Sequence, residues 1–270
     1  MGSGIAQAFA QKEYLVVLCD SVPSQLDQAK KSIAKSLNRD VEKHRIDAET
    51  RDNILARIQI EKPEALHESD LVIEAVSENY AVKAAVFDGL NRCCKPEAIL
   101  ASNTSSISIT RLAAKAKHPE QVIGMHFMNP VPVMKLVELI RGLQTSDETF
   151  LRVSHFVTDL DKIPIEVNDA PGFVSNRILM PMINEAVFCV HEGVGTPESV
   201  DAVMQLGMNH PMGPLALADL IGLDVCLDIM ETLHEGFGDS KYRPCPLLRK
   251  MVDAGRLGRK SGWGFYQYPQ

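Results

Sequence analysis

Residues 101–140 carry the side chains best suited to proton transfer. Hydroxyl side chains cluster near the start of this stretch, at Ser102, Thr104, Ser105 and Ser106. His126 and Glu138 follow them. An imidazole with a carboxylate partner is a proton acceptor suited to neutral pH. We therefore predict that His126 is a general base, that Glu138 can reach its ring, and that Ser105 lies in the same site.

Three short apolar runs position these side chains. AILAS (98–102) and VIGMHF (122–127) each end in polar residues, and KLVELI (135–140) contains Glu138. Such runs predict buried strands, and ligands bind at the carboxyl ends of strands in an open parallel sheet. Two alternatives stay open at this point. A histidine beside Phe127 is also typical of a packed core, and the hydroxyl cluster also fits a turn with a helix cap.

The remaining pattern up to residue 168 predicts an α/β fold. Further strand candidates are LVVLCD (15–20), which we expect to be buried, RIQI (57–60), DLVIEAV (70–76) and IPIEV (163–167). Two helices are predicted between residues 22 and 57, and another from about Val82 to Cys94. This alternation favours a Rossmann-type parallel sheet with right-handed crossovers, in a domain spanning residues 1–168.

Residues 169–270 form a second, all-helical domain in this prediction. The loop residues NDAPG (168–172) mark the change, and Thr196-Pro197 is typical of a helix start. A helical stripe recurs every fourth residue. Its members are Val174, Ile178, Met182, Ala186 and Val190.

Composition excludes several classes of function. The chain has 270 residues, 45% of them hydrophobic, and a formal net charge of −7. It is therefore unsuited to general binding of nucleic acid or an anionic membrane, and it lacks an apolar run long enough to span one. The start shows no secretory signal and the six cysteines show no CxxC pattern, so we expect buried free thiols in a cytoplasmic protein. No His/Cys cluster has metal-ligand spacing, so no metal is expected.

Longer motifs now identify a resemblance. NTSS (103–106), HFMNPVPVMKLVE (126–138) and DAPGFVSNRILMP (169–181) resemble the L-3-hydroxyacyl-CoA dehydrogenases, in particular their short 3-hydroxybutyryl-CoA form. The resemblance extends from Met1 to about Tyr268. It implies reversible NAD-dependent oxidation of a short L-3-hydroxyacyl-CoA to the 3-ketoacyl-CoA, and a homodimer formed through the helical domain. It assigns catalysis to His126, Glu138, Ser105 and Asn176.

The first residues match only part of the family's dinucleotide-binding fingerprint. The chain begins at the Met of that motif, so Gly2 corresponds to its third glycine, which serves close helix–strand packing. The first strand and the first two glycines are missing from the match. A late start, a fragment and a natural short form all remain open. The mitochondrial matrix likewise remains open if the true N-terminus is missing.

The resemblance also implies how NAD is held. Asp20, at a strand end, would accept hydrogen bonds from the ribose hydroxyls and disfavour NADP, although a turn-forming role is equally compatible with its position. Further cofactor contacts are implied for Glu78, Lys83, Ser105, Asn129 and Lys260. Taken alone, Glu78 is typical of an acid at a helix start, and each lysine is typical of the surface.

A basic helix face points to coenzyme A. Its members are Lys30, Lys31, Lys35, Arg39, Lys43 and Arg45. Such a face is usually only solvated, but it could also hold the CoA phosphates, and the resemblance implies contacts from Ser36 and Lys43. The alternatives are a related dehydrogenase of a sugar acid such as L-gulonate, and an inactive or structural truncated relative.

Overall fold

The structure is a computed structural model that describes residues 1–269. The chain divides into two units, Met1–Asp169 and Ala170–Gln270. The first unit is an α/β domain and the second is helical. The predicted fold class, a Rossmann-type domain followed by an all-α domain, is confirmed.

The first unit contains seven of the described strands and six α-helices. The strands are β1 Val16–Leu18, β2 Ile58–Ile60, β3 Leu71–Glu74, β4 Ile99–Ser102, β5 Val122–Phe127, β6 Leu136–Arg141 and β7 Ile163–Asn168. The helices are α1 Gly2–Gln11, α2 Pro23–Glu42, α3 Ala48–Ala56, α4 Tyr80–Cys93, α5 Ile109–Ala113 and α6 Asp147–Asp159. Polar side chains cap the N-termini of several of them. Asn79, for example, accepts a hydrogen bond from the backbone N–H of Val82 at the start of α4.

The described strands form two separate sheets. β1 pairs with β2 in parallel, and a separate five-stranded sheet has the order β3-β4-β5-β6-β7. The expectation that 15–20 is a buried strand is wrong. β1 is only half-buried and Leu15 is 80% exposed, because β1 is covered along the single edge that pairs with β2.

Two strands of the five-stranded sheet, β6 and β7, run opposite to the other three. β6 pairs antiparallel with β5, whereas the β3–β4, β4–β5 and β6–β7 pairs are parallel. The expected parallel sheet therefore contains one antiparallel step. Its cause is the short connection 128–135, since a parallel crossover needs a dozen or more residues. This step places His126 directly opposite Glu138.

Helix α1 contributes to two cores of the first unit. Ile5 and Phe9 pack in the cluster of the five-stranded sheet and α6. Ala6 and Ala10 pack in a second cluster, with α2, α3 and the two-stranded sheet. The apolar residues of α1 thus lie on two faces, one for each cluster.

The second unit contains five of the described α-helices. They are α7 Ser175–His191, α8 Pro197–Met208, α9 Pro214–Ile221, α10 Leu223–Phe237 and α11 Pro246–Asp253. Their buried side chains form one cluster, which includes Leu215, Leu223 and Leu233. The predicted start at Thr196-Pro197 is confirmed, since the Thr196 side chain accepts from the backbone N–H of Ser199.

The apolar stripe predicted on α7 is only partly buried. Ala186 is buried, but Ile178 is 67% exposed. A spacing of four residues advances 40° further than one helical turn, so the stripe winds off the buried face. Met180, Ile183 and Val187 take that face instead.

Two further expectations concern single features of the chain. No α-helix within residues 1–269 is long and apolar enough to cross a membrane. All six cysteines are free thiols, but only Cys226 and Cys245 are buried, so the expectation that all would be buried is wrong.

Candidate active site

His126 lies between a carboxylate and a hydroxyl. Its Nδ1 is 2.7 Å from Oε2 of Glu138, and its Nε2 is 3.1 Å from Oγ of Ser105. The ring and the carboxylate are both buried. The structure thus brings together Ser105, His126 and Glu138, three of the residues predicted to be catalytic. The antiparallel pairing of β5 and β6 places His126 beside Glu138.

The carboxylate decides the proton positions on the ring. An ionised carboxylate only accepts hydrogen bonds, so Nδ1 of His126 carries a proton and donates it to Glu138. In the neutral ring, Nε2 then has a lone pair and accepts from the hydroxyl of Ser105. His126 is therefore poised to receive a proton at Nε2, while the charge that forms faces Glu138.

A buried asparagine ties β4 to β5 beside this histidine. The backbone N–H of Phe127 donates to Oδ1 of Asn103 at 2.9 Å. Asn103 follows the last residue of β4, and its own N–H donates to the carbonyl of Glu74 at the end of β3. The carboxyl ends of three strands are thereby fixed relative to one another.

Glu78 holds the loop that carries Ser105. One oxygen, Oε1, accepts from the hydroxyls of Thr104 and Ser106 and from the N–H groups of Ser105 and Ser106. Burial would raise the pKa of Glu78, but the hydrogen bond from Thr104, the charge of Lys83 and the bonds from Ser105 and Ser106 hold it below its usual value. Glu78 is therefore a stable anion at this position, and its predicted cofactor role stays a prediction.

Lys83 is completely buried. Its Nζ donates to Oε1 of Glu74 at 2.7 Å and lies 3.4 Å from Oε2 of Glu78. The alternative of a surface lysine does not hold, because two carboxylates hold the ammonium inside the domain. The predicted contact of Lys83 with the cofactor stays a prediction.

The connection from β5 to β6 is also held by a lysine. Nζ of Lys162 donates to the carbonyls of Val131 and Met134, at 2.6 and 2.7 Å. Burial lowers the pKa of this ammonium. The second residue of the connection is the exposed Asn129, which is joined to Pro130 by a cis peptide bond. The structure places Asn129 two residues after the end of β5, and its predicted contact with the cofactor stays a prediction.

The structure defines the local contacts of Asp20 and Gly2. Asp20 is exposed two residues beyond β1, and its Oδ1 accepts from the N–H of Val22. This is the turn-forming contact, and the ribose contact stays a prediction. Close packing at Gly2 is absent, because a Cβ there would lie 3.7 Å from Cβ of Ala75, an ordinary contact. The tight position is Gly4, where a Cβ would lie 3.1 Å from Cβ of Val131.

The basic side chains of α2 face solvent. Ser36 is half-buried, Lys43 is exposed just after the helix, and Ile33 and Leu37 cover the opposite, buried face. Arg45 is paired with Asp40 at 3.1 Å. The face is therefore a solvated surface, with room for an anionic ligand along α2.

Two predicted residues lie in the second unit. Asn176 is buried in the first turn of α7. Lys260 donates to Oδ2 of Asp224 at 2.6 Å. Burial would raise the pKa of Asp224, but the hydrogen bond from Lys260 lowers it. Lys260 thus has an internal ionic partner, and both residues keep their predicted roles as predictions.

Sequence reasoning missed Glu74, Asn103 and Lys162. Glu74 ends an otherwise apolar strand, and that position in the DLVIEAV run was a usable signal, because a buried acid requires partners. Lys162 has no comparable signal. Within the described residues, no cluster of three or more His, Cys, Asp or Glu side chains could hold a metal ion. The arrangement as a whole can accept a proton from a hydroxyl group and stabilise the resulting imidazolium.

Comparison with known proteins agrees with this chemistry. The 3-hydroxyacyl-CoA dehydrogenase NAD binding domain matches residues 1–170, and the C-terminal domain of the same family matches residues 172–268. The chain is 58% identical over 272 residues to a probable 3-hydroxybutyryl-CoA dehydrogenase of Bacillus subtilis, covering 100% of this chain and 94% of that protein. It is 54% identical to the 3-hydroxybutyryl-CoA dehydrogenase of Bradyrhizobium diazoefficiens, covering 99% and 92%.

A solved structure gives the same result. The crystal structure of (S)-3-hydroxybutyryl-CoA dehydrogenase from Ralstonia eutropha superposes with a TM-score of 0.97 at 49% identity. The match covers 100% of this chain and 96% of that one.

Proposed function

Because the chain belongs to the NAD-dependent 3-hydroxyacyl-CoA dehydrogenase family, we propose that it oxidises a short L-3-hydroxyacyl-CoA, with 3-hydroxybutyryl-CoA as the preferred substrate. The reaction is reversible and yields the 3-ketoacyl-CoA. The observation that carries this proposal is the line Ser105–His126–Glu138, with a buried carboxylate at one end and a hydroxyl at the other. The names of the relatives in Bacillus and Bradyrhizobium support the substrate.

The first unit has groups that suit NAD. Asp20 is an exposed carboxylate beyond β1, the correct chemistry for accepting hydrogen bonds from ribose hydroxyls and for repelling a 2′-phosphate. Helix α1 begins with Gly2, Ser3 and Gly4 and has no acidic residue in its first turn, so its N-terminus suits a pyrophosphate. Asp20, the start of α1 and Glu78 would hold the cofactor, which when bound supplies the acceptor for the hydride from C3.

His126 takes the proton in this mechanism. As the substrate alcohol becomes a ketone, the 3-hydroxyl proton moves to Nε2 of His126, and the C3 hydrogen leaves with its electron pair. The imidazolium that forms is stabilised by Glu138 through Nδ1–H. The hydroxyl of Ser105 is next to Nε2 and would hydrogen-bond the substrate oxygen.

The basic face of α2 favours a CoA ester over a sugar acid. A 3′-phosphate and a diphosphate need cations, and α2 presents several exposed ones close to Ser36 and Lys43. A sugar acid would need a single counter-charge. We therefore assign the nucleotide end of the substrate to this surface.

The test is a substrate panel with the purified chain. NADH formation from NAD and L-3-hydroxybutyryl-CoA should be saturable, and L-gulonate should give no rate above background. Turnover of L-gulonate with none of the CoA ester would overturn the substrate assignment. No saturable NAD binding in calorimetry would favour an inactive relative instead.

We also propose a homodimer formed through the second unit. Several large apolar side chains of this unit are exposed, which is unusual for a monomer surface. They are Ile178, Val194, Val203, Leu206 and Met208. Light scattering should give twice the chain mass, and Leu206→Asp, at a side chain 89% exposed, should produce monomers. A monomeric wild-type chain at micromolar concentration would contradict the proposal.

A further inference from the structure

A buried ion pair lies behind the loop that carries Ser105. The side chains of Glu74, at the end of β3, and Lys83, in α4, are both 0% exposed. Burying two charges is costly, and replacement by apolar residues is often no less stable, so such a pair is weak evidence for a stabilising role. Its partners show what else it does.

The Glu74 carboxylate makes three contacts, at the carboxyl ends of β3 and β4 and in α4. Oε1 accepts from Lys83 and from the N–H of Val76, both at 2.7 Å, and Oε2 accepts from the hydroxyl of Ser102 at 2.6 Å. Ser102 is the last residue of β4, three residues before Ser105. Glu74 therefore fixes the point from which the loop to Ser105 departs.

The ammonium of Lys83 continues this connection. It is shared unequally, at 2.7 Å from Glu74 and 3.4 Å from Glu78. Glu78 in turn accepts from the N–H groups of Ser105 and Ser106. If Glu74 lost its charge, Lys83 would be drawn towards Glu78, the remaining carboxylate, and Glu78 would turn away from these N–H groups.

We propose that Glu74 is a positioning residue for proton transfer, acting through Lys83 and Glu78 on the loop that holds the Ser105 hydroxyl against His126. This role rests on the proposed function, because the alignment of Ser105 with His126 affects the rate only if His126 accepts the substrate proton. The partners of the Glu74 carboxylate are Lys83, Val76 and Ser102. Its effect is on the position of Ser105 and not on the chemistry of the ring.

The variant is Glu74→Gln, which keeps the shape and removes the charge. Misplacement of a reacting group by about 1 Å can cost on the order of 100-fold, so kcat should fall about 10- to 100-fold while the KM for the hydroxyacyl-CoA changes less than about two-fold. Without any substrate, the amide hydrogens of Ser105 and Ser106 should exchange faster by NMR. That second measurement does not depend on the enzyme's activity.

A double-mutant cycle tests the route. If Glu74 acts through Lys83, then Glu74→Gln should add little to the loss of kcat caused by Lys83→Met. The matched control is Thr145→Val. Thr145 is buried in the same unit, but its hydroxyl bonds Val122 and Gly142 at the opposite end of β5 from His126. It should lower the melting temperature while leaving kcat and the exchange at Ser105 unchanged.

These measurements distinguish a positioning role of Glu74 from a purely structural one. A Glu74→Gln enzyme with a lower melting temperature but wild-type kcat and wild-type amide exchange would overturn the positioning role. The role would also be overturned if the fold-loss of kcat in the double variant equalled the product of the two single losses. If Glu74→Gln does not fold, Ser102→Ala, which removes only the bond to Oε2, should show the same changes at smaller size, and wild-type values there would overturn the role. If the wild-type chain turns over no hydroxyacyl-CoA, the proposed function fails, and the exchange rates still decide the positioning.

Discussion

Replacement of Glu138 by glutamine is the sharpest perturbation of the proton-transfer site. The two side chains have nearly the same shape, and the buried Oε2 of Glu138 lies 2.7 Å from Nδ1 of His126. An amide oxygen at this place still accepts the hydrogen bond. The change therefore removes the negative charge that faces the imidazolium and leaves the packing in place.

The size of the effect follows from the geometry. A hydrogen bond to a charged group contributes about 1.5–3 kcal/mol and a neutral one about 1 kcal/mol, so the charge accounts for about 1–2 kcal/mol. Coulomb attraction across 2.7 Å at an effective dielectric constant of about 20 gives an upper bound of about 6 kcal/mol. The hydrogen-bond figure of about 1–2 kcal/mol corresponds to a fall in kcat of about 5- to 30-fold, and this is the size that we expect.

A larger loss would have a specific cause. If the glutamine turns its NH₂ group towards Nδ1, the ring proton moves to Nε2 and blocks the site that receives the substrate proton. The corresponding tautomer error in a serine protease triad lowers kcat about 10⁴-fold. Rates between these limits measure how often the amide adopts the wrong orientation.

The assay is NADH formation at saturating 3-hydroxybutyryl-CoA and NAD. Glu166→Gln is the matched control, because Glu166 lies in the neighbouring strand β7 with an exposed side chain paired with Arg141. It should keep the wild-type rate. A Glu138→Gln rate within about three-fold of wild type, which is less than about 1 kcal/mol, would refute the role of the carboxylate.

Three further predictions concern neighbouring groups. His126→Gln should lower kcat by at least about 100-fold with an unchanged circular dichroism spectrum, and retained turnover would exclude this general base. Asp20→Ala should weaken NAD binding in calorimetry and narrow the preference over NADP, whereas an unchanged preference would remove Asp20 from the cofactor site. Glu78 has its pKa held below the usual 4.5, so its stabilisation is present above that pH and is lost as the pH falls through the lowered folded-state value. In the Glu78→Gln variant, the melting temperature should therefore decrease less steeply as the pH falls. An unchanged decrease would show that Glu78 does not contribute to it.

The strand positions and the proximity of His126 to Glu138 could be predicted because they depend on local patterns. The polar ends of 98–102 and 122–127 mark where β4 and β5 stop. Periodicity does not specify strand direction, however. The antiparallel step at β6 depends on the length of the connection 128–135, which the expectation of repeated crossovers did not consider.

Burial of charged residues was the main failure. The alternative of a surface lysine was kept for Lys83, because nothing in the neighbouring sequence indicates the buried contact with Glu74. Such a pair forms only when β3 and α4 pack, so it is a tertiary property. The half-burial of β1 is likewise a tertiary property. A run of apolar residues predicts a buried strand whether one or both of its edges are paired.

Helix α1 joins two cores, and this has a consequence for hydrogen exchange. The part made of β1, β2, α2 and α3 meets the five-stranded sheet largely through the two faces of one ten-residue helix. Regions with few shared contacts open as separate cooperative units, at a free energy below that of global unfolding. The surface assigned to the CoA phosphates therefore belongs to the segment expected to unfold locally first, and amides of α2 should exchange ahead of those of β5.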